Sequence, residues 1–256
     1  MSPWGHGQKE RQEPDYPMPG GALSPDRTAA WFDHVRLGTP FPYGEIGKFR
    51  YSAIGEDAWH TAESPYENAP SRPFFFSADG SLTEKAPTPG ALSYRYDPDR
   101  PRHHDRHDDL FLCPPPEDRE DVLSFFSEPF PGDAAFFGPV RFRLTVRTDR
   151  PDTAFCLRLY FVEDGKSYNL VDAATTLLHA APEAKPGQPV SVEILSQPTA
   201  FTVKKGCRIR ADLSSWTDCF VPHPNTRRPL ALARRAFVAH NTLLCGESRV
   251  ILPEKQ

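Results

Sequence analysis

No run of apolar residues in this chain approaches the roughly 18 that a membrane-crossing helix requires. Its first residues, Met-Ser-Pro-Trp-Gly-His-Gly-Gln-Lys-Glu-Arg, have no apolar centre of the kind a secretory leader carries. The expectation is a soluble, cytoplasmic chain with no membrane partner. An excess of basic charge is missing too: 30 Lys and Arg face 34 Asp and Glu, a net charge of −4. Sequence-independent binding to nucleic acid needs a basic footprint, so nucleic acid is not an expected partner. Cysteine is sparse, with five widely spaced residues (Cys113, Cys156, Cys207, Cys219, Cys245) and no Cys-x-x-Cys. That pattern reads as reduced packing thiols, not as a disulfide framework or zinc site. The Gly-x-Ser-x-Gly elbow of serine hydrolases is absent, so Ser24, Ser81, Ser214 and Ser215 lack the turn that exposes a nucleophilic hydroxyl beside backbone donors.

Proline, by contrast, is abundant: 29 of 256 residues, about 11% where about 5% is usual. Proline interrupts helix interiors and central strands, which argues against a helical bundle and for short strands joined by long loops. Residues 1–25 are rich in Pro and Gly without apolar periodicity and read as loop. Asp26 is placed to cap a helix over Arg27–Leu37, with Ala30, Trp31, Val35 and Leu37 on its apolar side and Gly38 as its stop. From about 45 to 118, short apolar runs such as Phe49-Arg50-Tyr51 and Phe74-Phe75-Phe76 alternate with Pro-rich turns, an extended wrap of short strands and loops.

After about residue 120 the apolar period becomes two. Val140, Phe142, Leu144 and Val146 alternate with Arg141, Arg143, Thr145 and Arg147, and Phe155, Leu157, Leu159 and Phe161 form the next apolar face. Glu163-Asp164-Gly165-Lys166 carries the Asp-Gly pair of a tight hairpin. Val190–Ile194, Cys207–Leu213, Ala236–Leu244 and Ser248–Leu252 complete seven or eight short strands. This predicts a mainly β chain: a jelly-roll, galactose-binding-like sandwich preceded by a short helix and the extended wrap. Arg208 and Arg210 alternate with the apolar face of their strand and are expected to be structural salt-bridge or rim residues.

Two clusters invite a chemical reading. His103-His104-Asp105-Arg106-His107-Asp108-Asp109 offers three imidazoles, His103, His104 and His107, as candidate metal ligands, though a Pro-rich, charged loop is the plainer reading and no resident metal or other cofactor is expected. His6 is a candidate base that has no nucleophile in this sequence to serve.

A series of segments, in order, resembles the C-terminal half of the X-Pro dipeptidyl-peptidase and cocaine-esterase (CocE/NonD) type of α/β-hydrolase. They are Ser2-Pro3-Trp4-Gly5-His6-Gly7, Trp31-Phe32-Asp33-His34-Val35-Arg36-Leu37-Gly38, Tyr96-Asp97-Pro98-Asp99-Arg100-Pro101, Asp121–Phe130, Gly138-Pro139-Val140, Lys205–Arg210 and His223-Pro224-Asn225-Thr226. The resemblance implies a hydrolase domain that supplies Ser and Asp, with His6 as the general base and a jelly roll packed beside it. It divides the chain into a catalytic-His remnant over 1–25, a helix and wrap over 26–118, and the sandwich over 119–256. The chain is then expected to be a truncated or split product, inactive alone, whose partner is the missing α/β-hydrolase domain. Apolar surface around Trp31, Phe32 and Phe74–Phe76 is expected to be exposed and to favour self-association. The alternative is a free-standing carbohydrate- or ligand-binding or partner-docking sandwich with Trp59, Trp216 and the Phe residues as an aromatic platform.

Overall fold

The computed structural model describes residues 25–56, 58–65, 70–101, 119–217 and 220–255. Helix α1 (Pro25–Leu37) opens on a proline, whose missing N–H is no loss in a first turn. Asp26 therefore lies inside that turn and not before it, one step from the expected cap. Gly38 ends the helix at φ 70°, its N–H donating to the His34 carbonyl. Strands β1 (Phe49–Ser52) and β2 (Trp59–Ala62) form a separate antiparallel pair. All remaining strands join one hydrogen-bonded sheet, with β10 branching from β7, that folds over on itself as a β-sandwich.

The axis of the sandwich is β7 (Ala134–Thr148), whose apolar alternation runs through Phe142, Leu144 and Val146, each at most 1% exposed. Along one edge it pairs with β10 (Val190–Val203) over nearly its whole length. The register slips between Leu195 and Pro198, where Ser196 Oγ accepts the Val140 N–H at 2.9 Å. A bulge of this kind is one of the few places inside a sheet that tolerates proline. Along its other edge β7 meets β13 (Arg249–Pro253) and then β12 (Ala239–Cys245), two halves of a strand broken at Gly246–Ser248. Ser248 Oγ accepts the Thr145 N–H at 2.9 Å across that break, so β7 keeps its ladder satisfied while its neighbour changes partners.

Those partners come from the segment read as a wrap. β12 continues to β5 (Gly90–Tyr96), and β13 to β3 (Ser71–Phe76) and β4 (Ser81–Thr83). The path then runs through β6 (Val122–Ser127), β11 (Arg208–Ser214), β8 (Ala154–Glu163) and β9 (Lys166–Thr176), which leads into the single turn of α2 (Leu177–Ala180). The expected exposure of Phe74–Phe76 is corrected: Phe74 is 3% and Phe76 0% exposed, because β3 is an interior strand and Phe76 meets Phe125 edge-on at 4.7 Å. The β8–β9 hairpin turns on Asp164 (φ 49°) and Gly165 (φ 76°), two successive left-handed residues, as the Asp-Gly pair requires.

Candidate functional site

Among the described residues no group of three or more His, Cys, Asp or Glu is arranged to hold a metal ion. His6 and the candidate ligands His103, His104 and His107 lie outside the described residues. The other chemistry-bearing side chains can therefore be followed one by one. Cys156, Cys207 and Cys245 are buried. Burial, reinforced by the Glu163 carboxylate, pushes the Cys207 thiol up to about 11, the opposite of what a nucleophilic thiolate needs. Ser215 is 1% exposed and bonded to Tyr94 Oη at 3.0 Å and Asn241 Nδ2 at 2.9 Å, which makes it a core crosslink between β5, β12 and the end of β11.

Three imidazoles face carboxylates: His60 with Glu56 at 2.6 Å, His223 with Asp152 at 3.3 Å and His240 with Asp149 at 3.1 Å. Glu56 also accepts from Thr202 Oγ1, which ties its loop to β10. Asp152 also accepts the Leu178 N–H at the start of α2, and Asp149 the His240 N–H. Burial disfavours the charged form of Asp149, but the His240 N–H and ring together with Arg150 hold its carboxyl below the usual range.

Arg210 turns out deeper than a rim residue. It is fully buried, its guanidinium bidentate on Asp212 (Nε–Oδ1 2.8 Å) and 4.2 Å from the Tyr160 ring. Arg208 donates to the Ser127 carbonyl at 3.1 Å. Both arginines thus bind the sheet itself. Of the two indoles expected in an aromatic platform, Trp216 is 7% exposed with its N–H on the Phe220 carbonyl, and Trp59 lies between Arg50 and Arg27 at 4.6 and 5.6 Å.

What the structure does present is helix α1. Trp31 (45%), Phe32 (59%), Val35 (62%) and Leu37 (70%) all reach solvent. The helix is held by its edge: Arg27 stacks over Tyr43 and Trp59, while Trp31 meets Phe41 edge-on at 5.6 Å. Tyr51 of β1, stacked on Phe137 at 3.9 Å, and the Ile54–Phe201 bridge fasten this assembly to the Ala134 end of β7. Four large apolar side chains left in water on one short helix are unfavourable.

A sandwich with a buried polar lattice, no assembled nucleophile among its described residues and an apolar helix at one end fits the accessory part of a larger enzyme. Residues 45–250 match the model of the X-Pro dipeptidyl-peptidase C-terminal non-catalytic domain, and the chain belongs to that family. Solved structures agree on the fold. An α-amino acid ester hydrolase superposes with TM-score 0.76 at 18% identity over 90% of this chain and 44% of its own. An aminopeptidase from a marine sediment Thaumarchaeota archaeon gives 0.76 at 17% over 90% and 43%, and a CocE/NonD family hydrolase from Staphylococcus aureus 0.62 at 14% over 90% and 45%. The chain thus spans less than half the length of each of these enzymes. No curated protein sequence matches it.

Proposed function

We propose that this chain is the non-nucleophile, C-terminal part of a serine hydrolase of X-Pro dipeptidyl-peptidase or acyl-ester/amide type, working against an α/β-hydrolase domain that covers α1. The observation that carries the proposal is the exposed face of α1 in a chain whose family is the non-catalytic domain of a peptidase. His6 serves as general base, taking the proton of a Ser that the hydrolase domain supplies and returning it to the leaving group, with an Asp of that domain orienting the imidazole. Apart from that domain the chain is inactive, and the α1 face draws copies of it together.

The test is to assay the chain on Gly-Pro-p-nitroanilide and p-nitrophenyl butyrate alone and after co-expression with a Gly-x-Ser-x-Gly hydrolase segment read from the DNA upstream of its first codon. Activity is expected only in combination. His6→Ala then lowers it by about 10⁴-fold or more, the scale on which loss of a triad member is felt. Turnover by the chain alone, failure of the two to associate, or indifference to H6A would overturn the proposal. Sedimentation velocity of the chain alone reads the self-association, which F32S/V35S is expected to abolish.

A further inference from the structure

The second exposed apolar cluster lies at the opposite end of β7. A strand of 15 residues spans about 45 Å, and α1 sits by Ala134 while the segment after β11 closes over Thr148–Thr153. Residues 225–237 form a loop whose two ends are clamped together. Asn225, fully buried and left-handed at φ 58°, bonds Thr153 Oγ1 at 2.9 Å and donates to the Phe237 carbonyl at 2.6 Å. The Phe237 N–H returns to the Pro224 carbonyl at 3.1 Å. Closed loops of this length with joined ends are ordered surface features and frequently functional.

The crest of the loop is a single 3₁₀ turn, Leu230–Leu232, with Leu230 50% and Leu232 65% exposed. Arg227 and Arg228 precede it and Arg234 and Arg235 follow it, all exposed. Phe237, under Arg150 at 5.6 Å, and Phe220 and Val221 add exposed apolar surface at its base. No Asp or Glu occurs from Phe220 to Gly246. Of the carboxylates on the segment that the loop closes over, Asp149 is engaged by His240 and Arg150, and Asp152 by His223. Arg227 donates to the Pro182 carbonyl of the neighbouring loop, which carries Glu183 and Lys185 in balance.

We propose that this loop seats the sandwich on an anionic lipid surface, with Leu230 and Leu232 entering the headgroup region and the two arginine pairs resting on lipid phosphates. Two leucines held at the tip of a clamped loop suit a soft, planar apolar boundary, and a basic collar adds attraction to anionic lipid and none to neutral lipid. A second copy is disfavoured by charge, since a two-fold contact through this loop would bring eight arginines together. The expectation of no membrane partner rests on the missing transmembrane run, which a loop seated at the surface does not need. The proposal is independent of the docking assigned to α1.

The test is co-sedimentation of the full chain with vesicles of about 30% phosphatidylglycerol in phosphatidylcholine, and with phosphatidylcholine alone, at about 0.1 M salt. Binding is expected to the anionic vesicles and at least about tenfold weaker to the neutral ones. R234Q/R235Q is expected to lower the partition coefficient about 25-fold, a factor of about five for each basic side chain at about 1 kcal/mol. L230S/L232S is expected to remove the binding that survives at high salt, while F32S/V35S on α1 changes nothing. Equal partition on both vesicles, no binding, or binding insensitive to the loop variants would overturn the proposal. So would capture by immobilised poly-glutamate without vesicle binding, which would assign the loop to an acidic protein.

Discussion

At the scale of single residues, the sandwich keeps charge where apolar packing is the rule. Arg210 and Asp212 sit two apart on one strand, so their side chains share a face, and both are almost wholly withdrawn from water. Removing one member strands the other: R210A is expected to destabilise the chain by about 3–5 kcal/mol, read from urea unfolding midpoints. The apolar pair R210M/D212L is expected to recover most of that loss, because desolvation cancels much of what a buried ion pair gains. Glu193 is a contrasting case near the surface. The Arg143 guanidinium, with Arg141 beside it and against modest burial, holds its carboxyl below the usual range. A carboxylate with a lowered folded pKa stabilises above the ordinary Glu value and loses that contribution as pH falls through the lowered one. Stability curves of the native chain and E193Q are therefore expected to differ above the ordinary Glu range and to converge as pH falls below it, with the gap shrinking in salt.

At the scale of elements, α1 shows how a surface can be legible while its purpose is not. The apolar side chains of Trp31, Phe32, Val35 and Leu37 stand out of the sandwich. F32S/V35S is accordingly expected to leave the unfolding midpoint within about 0.5 kcal/mol of the native chain while abolishing association with a hydrolase domain, measured by calorimetry on the same preparations. β7 was readable because one face of it meets the core and alternation is the direct image of that contact, whereas β8 and β11 alternate in sequence although both of their faces are buried, the second around Arg158, Arg210 and Asp212. β9 escaped that reading: Lys166–Thr176 mixes Ser, Asn, Asp and Thr among its apolar residues, and Ser167, Tyr168, Leu170 and Val171 are buried without a strict period of two. The Phe74–Phe76 run was visible as apolar, but its burial depends on β13, where Phe74 pairs with the distant Val250, which no local pattern encodes. Likewise the clamp of Asn225 on Thr153 and Phe237 appears in sequence only as a Pro-Asn-Thr turn, since its partners arrive from other elements.

At the scale of the whole molecule, the segment before residue 119 is part of the sheet. β5 continues β12, and β3 continues β13, whose Val250 and Leu252 are fully buried. A fragment of residues 119–256 is thus expected to expose these strands, bind a hydrophobic dye and show no cooperative unfolding transition by circular dichroism, whereas a fragment from residue 45 onward is expected to unfold in one step. The same weaving bears on where the chain can be cut. The exposed turn at Asp164-Gly165 divides it so that β7 falls in the first piece while β10, β12 and β13, all of which pair with β7, fall in the second. Neither piece can complete a layer by itself, and together they share the longest ladder in the fold. Opened at that turn, the molecule becomes a two-part lock, its halves silent apart and registering any event that brings them together.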